Sequence, residues 1–283
     1  MSEPLRILVI GAHPDDCDYH VGGLAVLYAR QGHQVRFVSM SNGDAGHFSM
    51  GGAPLAQRRR AEAERAAAIA SDAAGRPGSV EYQVLDLHDA QIVPSLENRQ
   101  KVVCIMREFR PDLVITNRPN DYHPDHRYTS QLVADAAYTV MVPNVAALTP
   151  HLSHNPVIAY WGDGFKRPYP FTPDVSIATD EVIQVKMRML ACHVSQFYEW
   201  IPYSMGRLEE VPQGESERLE WFAAQRLRAE ASHADATRGL LARLYGPERG
   251  NAVTYAEPLE FCEYGGAVTD ANFARLFPFF GPA

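Results

Sequence analysis

The first half of the chain alternates between short, continuous hydrophobic runs and longer segments in which hydrophobic residues recur at helical spacing. The continuous runs predict buried strands at 5–10, 35–40, 80–85 and 113–116. The longer segments predict helices at 22–32, 58–70 and 96–109. Strands that alternate with helices of this length are typical of a Rossmann-like α/β fold with a doubly wound, mostly parallel sheet.

The second half of the chain is less regular and rich in proline. Its pattern predicts short strands at 157–161 and 174–178, and helices from Arg127 to about Val142, from an N-cap at Asp180 to about His193, and over 215–232. No repeat or low-complexity linker divides the chain. We therefore expect one domain over 1–283, with a core at about 1–142 and a C-terminal elaboration at about 143–283.

The composition is that of a globular protein, with 46% hydrophobic and 21% charged residues. Because 34 acidic residues outnumber 26 basic ones, the net charge of −8 argues against nucleic-acid binding through phosphate neutralisation. No stretch approaches the roughly 18 uncharged apolar residues that a membrane-spanning helix needs. The four cysteines are scattered singly, which disfavours a disulfide framework and favours a cytoplasmic location.

Imidazoles and carboxylates are concentrated in two loops that directly follow predicted strands. The first loop contributes His13, Asp15 and Asp16, and the second contributes His123, Asp125 and His126. Because the site of such a sheet lies beyond the carboxyl ends of its strands, we expect these loops to meet at one rim. Burying this much charge is unfavourable unless a cation compensates it. Two histidines and a carboxylate around one divalent ion, with coordination positions left open, are typical of a catalytic metal site.

Each loop has a simpler interpretation when it is considered alone. The pair Asp15–Asp16 is typical of a helix N-cap, and the segment 123–125 is typical of a turn. Their joint occurrence after two strands favours the metal site. The strand–helix alternation disfavours the facial triad of a non-haem Fe(II) oxygenase. A nicotinamide-binding turn is disfavoured because residues 11–16 lack the G-x-G-x-x-G pattern.

Several short blocks resemble the zinc-dependent de-N-acetylase family known as PIG-L or LmbE-like. The blocks lie, in chain order, at 12–16, 41–46, 58–62, 123–126, 186–196 and 255–257. They extend over most of the chain from residue 5 to about 260, and their combination in this order is specific. Many members carry Glu after the Asp pair, whereas this chain has Cys17, as does the diacetylchitobiose deacetylase branch that it resembles. We interpret Cys17 as a packing residue rather than a ligand.

The resemblance implies the roles of the residues in the two loops. His13, Asp16 and His126 would hold one zinc ion per chain. Asp15 would be the general base, and His123 would stabilise the oxyanion, with Asp125 as a partner that raises its pKa. Zinc lowers the pKa of a bound water to roughly 7. A site with two histidines and one carboxylate also accepts other divalent ions such as Fe²⁺, Co²⁺ and Ni²⁺.

The implied reaction is removal of the acetyl group from an N-acetylglucosamine-type sugar or sugar conjugate, which gives acetate and a free amine. A related amidase that cleaves a larger acyl group and a non-enzymatic carbohydrate-binding protein are the alternatives. Asp44 and Arg59 are candidate substrate-binding residues. A turn cap is the alternative role for Asp44, and a helix ion pair with Glu62 or Glu64 is the alternative for Arg59.

The C-terminal segment 273–280 is more apolar than a solvated chain end. It is expected to pack either on its own domain or on a neighbouring subunit. Because apolar patches of this kind mark interfaces, the pattern predicts a homo-oligomer in which this segment contributes to the contact.

Overall fold

A seven-stranded sheet organises the part of the chain that the structure, a computed structural model, describes, which is residues 3–280. Its strands are β1 Arg6–Gly11, β2 Gln34–Ser41, β3 Val80–Leu87, β4 Leu113–Thr116, β5 Val157–Trp161, β6 Val175–Ala178 and β7 Ala256–Cys262. Their order across the sheet is β3-β2-β1-β4-β5-β7-β6, and only β7 runs antiparallel to its neighbours. The predicted α/β class with a mostly parallel sheet is confirmed.

Helices cover both faces of the sheet. They are α1 Asp16–Arg30, α2 Gly52–Ala73, α3 Leu96–Phe109, α4 Pro124–Ala136, α5 Ile183–Ala191, α6 Ile201–Ser204, α7 Glu215–Ala236, α8 Arg238–Tyr245, α9 Pro247–Ala252 and α10 Asp270–Leu276. A π-helix at Ser195–Trp200 directly precedes α6. No helix in the described residues is both long and apolar enough to cross a membrane.

The continuous hydrophobic run of β1 is explained by burial on both faces of the sheet. Successive side chains of a strand point to opposite faces. Accordingly, Ile7 and Val9 lie in the core that includes α1, whereas Leu8 and Ile10 lie in the core formed with α3 and α4. A parallel strand in this position needs apolar residues throughout, which is the pattern that identified it in the sequence.

The strand order places the end of β1 beside the end of β4. The chain moves outward from β1 to β2 and β3, and then returns to the other side of β1 to form β4. Ligands bind sheets of this type at such a reversal, beyond the carboxyl ends of the strands. The two polar loops therefore meet at the expected rim.

Helix α1 begins at Asp16, six residues before the predicted start at residue 22. A break lies directly before that predicted start, where Val21 has the non-helical angles φ −132° and ψ 27°. The Glu257 carboxylate accepts hydrogen bonds from the N–H groups of Gly23 (2.9 Å) and Leu24 (2.6 Å). It thereby caps the second part of α1. A Cβ at position 23 would lie 3.0 Å from a Glu257 oxygen, so glycine allows this close approach.

The predicted N-cap at Asp180 is wrong. Helix α5 begins at Ile183, with Val182 at its N-cap position. The Asp180 carboxylate instead accepts a hydrogen bond from the N–H of Thr254, at 2.9 Å. A polar residue before a helix was a sound local signal, but Asp180 is used to join two loops.

The apolar C-terminal segment packs on its own chain. Leu276 and Phe277 are each 1% exposed and lie in the core beside α1. The Tyr28 hydroxyl donates a 2.7 Å hydrogen bond to the Leu276 carbonyl. The first of the two expected packing modes is therefore the observed one. Because this segment is buried without a second subunit, its apolar character no longer supports the homo-oligomer. The homo-oligomer stays a prediction.

Candidate metal and catalytic site

Two helix N-termini present the predicted site residues to the rim. Asp15 is the N-cap residue of α1, and Asp16 is its first residue. His123 is the N-cap residue of α4, and its Nδ1 accepts a hydrogen bond from the N–H of Asp125 at 3.2 Å. Carboxylates close to a helix N-terminus are stabilised by the partial positive charge of the exposed N–H groups. The local fold thus explains why acidic residues follow both strands.

Three donor atoms from the two loops face one another. The distance from His13 Nδ1 to His126 Nε2 is 3.1 Å, and the Oδ2 atom of Asp16 lies 3.6 Å from the first nitrogen and 3.5 Å from the second. Tetrahedral ligands at the usual bond lengths around zinc are separated from one another by about 3.3 Å. The three predicted ligands therefore fit one small divalent ion.

Further carboxylates orient the two imidazoles. His13 Nε2 lies 3.1 Å from an Asp89 oxygen and 3.6 Å from an Asp125 oxygen, while His126 Nδ1 lies 3.0 Å from an Asp121 oxygen. A carboxylate behind a histidine fixes the ring and leaves the opposite nitrogen free for a metal ion. In both rings the free nitrogen is the one that faces Asp16.

The charges of the site favour a cation between the imidazoles. Burial lowers the pKa of His13, but the carboxylates of Asp125, Asp16 and Asp89 outweigh it and raise that pKa well above its ordinary value. Burial also lowers the pKa of His126. The negative charge of Asp16 outweighs burial, so the pKa of His126 is raised. Burial raises the pKa of Asp16, but His126 and His13 hold it well below its ordinary value.

Two other sets of donor atoms also lie close together, each within 4.8 Å. They are His13 with His123 and His126, and His13 with Asp89 and Asp125. Hydrogen bonds account for the second set, because the Asp125 oxygens accept from the N–H groups of Ala90 (2.8 Å) and Ile92 (3.2 Å). His123 uses its Nδ1 to cap α4. These contacts favour the predicted ligand set over both alternatives.

The predicted base, Asp15, is held by Arg59. Its Oδ1 atom lies 2.8 Å from Arg59 Nη2, and the guanidinium also donates to the Gly43 carbonyl at 3.3 Å. Arg59 is only 2% exposed. The helix ion pair considered for Arg59 is wrong, since the neighbouring Arg58 makes the contact with Glu62, at 3.1 Å. Arg59 thus contacts the base from inside the protein.

His123 is half-buried beside the ligands, with its ring centroid 4.7 Å from that of His13. Burial, followed by the charges of His13 and His126, lowers the pKa of His123. The charge of Asp125 raises this pKa, as predicted, but burial and the two imidazoles outweigh it, so the net shift of the pKa is downward. The cap at Nδ1 places the proton of the neutral ring on Nε2, so His123 retains a hydrogen-bond donor when it is uncharged.

Asp44 anchors a neighbouring loop. One carboxylate oxygen accepts a hydrogen bond from the N–H of Asp89 at 3.0 Å, and the other lies 2.6 Å from Nδ1 of His88. These contacts correspond to the structural alternative considered for Asp44. They fix the loop after β3, which carries the Asp89 carboxylate to His13.

Asp89 was missed by the sequence analysis. It follows β3 directly, at the same edge of the sheet as the other site loops. Its carboxylate contacts His13 and also lies 3.7 Å from Arg59 Nη1. The rule that directs attention to the carboxyl ends of parallel strands applies equally to this loop, so the signal was present.

Cys17 packs in the core rather than among the donor atoms. It is 0% exposed, and its Sγ atom lies 3.5 Å from the carbonyl oxygens of both Val9 and Val38. Burial raises the pKa of its thiol well above the ordinary value. This agrees with the interpretation of Cys17 as a packing residue.

Comparisons with known proteins identify relatives of this chain. Residues 8–137 match the family model described as PIG-L: GlcNAc-PI de-N-acetylase. A diacetylchitobiose deacetylase from Thermococcus kodakarensis is 29% identical over an alignment of 214 residues that covers 70% of this chain and 74% of the relative.

Two solved structures share the fold. The N,N'-diacetylchitobiose deacetylase from Pyrococcus horikoshii superimposes with a TM-score of 0.69 at 22% identity, over 93% of this chain and 85% of the other. The 4-carboxy-2-hydroxymuconate hydratase from Pseudomonas putida has the same TM-score at 19% identity, over 94% of this chain and 98% of the other. Residues 8–137, which contain both loops of the candidate site, thus match the PIG-L family model, and the resemblance indicated by the motifs is confirmed.

Proposed function

We propose that the protein is a zinc-dependent N-deacetylase that removes the acetyl group from an N-acetylglucosamine-type sugar or sugar conjugate. The observation that carries this proposal is the group of three mutually facing donor atoms from His13, Asp16 and His126. The partly exposed carboxylate of Asp15 precedes Asp16 at the N-terminus of α1 and is held by Arg59. The deacetylase relative and the family model support the reaction class. The products are acetate and a free amine.

His13, Asp16 and His126 would hold one metal ion per chain. When it is bound, the ion supplies a water of lowered pKa and an electrophile for the amide carbonyl. Zinc suits these nitrogen and oxygen donors, and other divalent ions fit the same set.

Asp15 is placed to accept the proton of the attacking water. Arg59 holds one oxygen of its carboxylate, which leaves the other oxygen for the proton. The Nε2–H of His123 stabilises the oxyanion as the amide carbon becomes tetrahedral. The C–N bond then breaks, and the proton carried by Asp15 passes to the leaving amine.

Three alternatives define the assay. The hydratase shares the fold, so the fold alone does not distinguish hydrolysis of an amide from addition of water to a double bond. An amidase for larger acyl groups would use the same side chains, and a carbohydrate-binding protein would show no turnover. Acetate release from a panel of N-acetyl sugars, with an unsaturated carboxylic acid as a hydration substrate, separates these outcomes.

Asp15→Asn tests the proposed base. The amide keeps the size of the carboxylate without its basicity, so kcat for acetate release should fall by a factor of about 10²–10⁴ while the metal content is unchanged. Asp135→Asn, which neutralises an exposed carboxylate on α4, is the matched control and should retain full kcat. Near-normal kcat in Asp15→Asn would assign proton removal to another group.

The cytoplasmic location and the homo-oligomer are also proposals. Sedimentation of the full chain tests the assembly, and a monomer at micromolar concentration would contradict it.

A further inference from the structure

An apolar pocket lies between the π-helix and α7, outside the group of donor atoms. Its volume is about 210 Å³. Its apolar walls include Phe197, Ile201, Met205, Trp221 and Phe222. An apolar cavity of roughly 150 Å³ is large enough to bind benzene. The pocket therefore has room for an aromatic ring with a substituent or for a short alkyl chain.

The pocket shares structural elements with the candidate site. Tyr19 lines it, and the N–H of Tyr19 donates to the carbonyl of the proposed base, Asp15, at 2.9 Å. The two residues are thus one helical turn, about 6 Å, apart along α1. On the other wall, Phe197 belongs to the π-helix, whose Gln196 donates to the Gly46 carbonyl in the loop over Arg59. A π-helix is often found at a functional site.

The charges at the pocket favour a neutral ligand. Arg226 lines the pocket and is only 8% exposed. Its charge is balanced by Glu230 at 2.5 Å, and its guanidinium lies 3.6 Å from the centre of the Tyr19 ring. Because this cation is already paired, an additional anion is not needed there.

Two exposed apolar side chains lie at the pocket. Ile201 is 37% exposed and Met205 is 61% exposed. Large hydrophobic side chains that stay exposed around a concave, aromatic-lined pocket are typical of a site for an apolar ligand.

We infer that this pocket binds the apolar group of an amino-sugar conjugate while its amide lies at Asp15. This inference rests on the amide hydrolysis of the proposed function and specifies its substrate class. A longer N-acyl group in the pocket would correspond to the amidase alternative. The apolar group is an aromatic ring or a short alkyl chain, and it comes either from the aglycone of the sugar or from the N-acyl group. Both sources share the same chemistry at the pocket.

Four glucosaminides test the inference and distinguish the two sources. The aglycone arm compares the 4-nitrophenyl and methyl glycosides of N-acetylglucosamine, and the acyl arm compares N-hexanoyl and N-acetyl methyl glucosaminides. Burial of a ring or chain should raise kcat/KM at least about tenfold in one arm. A preference in the first arm assigns the pocket to the aglycone, and one in the second assigns it to the acyl group. Equal values in both arms would overturn the inference.

A matched pair of variants locates the effect. Ala229→Phe fills the pocket from α7, so the ratio of kcat/KM between the apolar substrate and its matched partner should fall to about one. Ala224→Phe adds the same ring at an exposed position of α7 and should leave this ratio unchanged. A preference that survives Ala229→Phe would contradict the inference.

Calorimetric binding separates this inference from the proposed function. If no substrate is turned over, the deacetylase proposal fails, and the affinities for the four glucosaminides then decide on the pocket. We expect Ala229→Phe, but not Ala224→Phe, to weaken binding of either the 4-nitrophenyl or the N-hexanoyl compound by at least about tenfold. Unchanged affinity for both compounds would overturn the inference independently of turnover.

Discussion

Two groups of buried charges lie near opposite parts of α1, and they are balanced in different ways. Below the second part of the helix, Lys186 contacts Glu257 at 2.7 Å and Glu230 at 2.9 Å, and Arg226 contacts Glu230. We call these four residues the balanced cluster, because two cations meet two carboxylates. At the N-terminus of α1, the guanidinium of Arg59 contacts the carboxylates of Asp15 and Asp89. The other carboxylates of the candidate site contact its imidazoles, and they are Asp16, Asp121 and Asp125.

The difference indicates which group is structural and which requires a further cation. Backbone N–H groups and ammonium or guanidinium groups compensate both carboxylates of the balanced cluster. In the candidate site the carboxylates instead surround two imidazoles whose free nitrogens face each other. A buried excess of negative charge is unfavourable unless it is neutralised. Disrupting the first group should therefore reduce stability, whereas disrupting the second should reduce metal binding.

The largest expected effect on stability comes from Lys186→Met. This change leaves two carboxylates buried without their shared cation, which should lower the free energy of unfolding by about 3–5 kcal/mol. Denaturant unfolding measures it. The control is Lys101→Met, which removes an exposed lysine 2.8 Å from Glu97 and should cost less than about 1 kcal/mol. Equal losses in the two variants would remove the distinction between the balanced cluster and an ordinary surface pair.

The next effect concerns acid sensitivity beside the balanced cluster. Burial, reinforced by the charges of Lys186 and Arg226, lowers the pKa of His233 from 6.5 to about 4. As the pH falls, the unfolded chain therefore protonates His233 at a higher pH than the folded chain does. Stability from this group is fully present above pH 6.5 and is lost as the pH falls from 6.5 towards 4. The loss amounts to about 3 kcal/mol.

His233→Gln should flatten this part of the stability curve. Unfolding free energies measured at several pH values between 4 and 7 provide the test. The exposed His88 is a suitable control position, since its pKa is raised through its contact with Asp44 and so shifts in the opposite direction. If the unfolding free energy of His233→Gln changed with pH as steeply as that of the parent protein, the assignment to His233 would be contradicted.

A smaller effect is expected from Asp89→Asn in the candidate site. The amide still reaches His13 but no longer provides the charge that orients and polarises the ring, so the affinity for the metal ion should fall about 10–100-fold. Titration with zinc in competition with a chelator measures this affinity. The unfolding free energy of the metal-free protein should change little. Unchanged affinity would show that Asp89 does not support a ligand.

Local signals in the sequence were sufficient for the parallel strands and the two main loops. Helix α3 and strand β4 have the predicted bounds, because an amphipathic helix and a fully buried strand both have regular patterns. His13 and His126 could also be paired from the sequence, since both follow strands that are neighbours of one another at the sheet's reversal.

Contacts that depend on tertiary packing could not be predicted in the same way. Strand β7 was not predicted, although its Glu257 caps the second part of α1 from more than 200 residues away. The ion-pair partners considered for Arg59 likewise came from its own helix, whereas the structure provides Asp15 from another strand end. Helical spacing identifies the partners available within a helix, but it does not determine which contact the folded chain makes.

The central claim is that His13, Asp16 and His126 together hold one catalytic metal ion. Its most direct test is the metal content of the purified protein, measured by elemental analysis, for the parent chain, His126→Ala and the matched variant His123→Ala. We predict about one divalent ion per chain in the parent and in His123→Ala, and none in His126→Ala. Full occupancy in His126→Ala, or loss of the ion in His123→Ala, would contradict this ligand set.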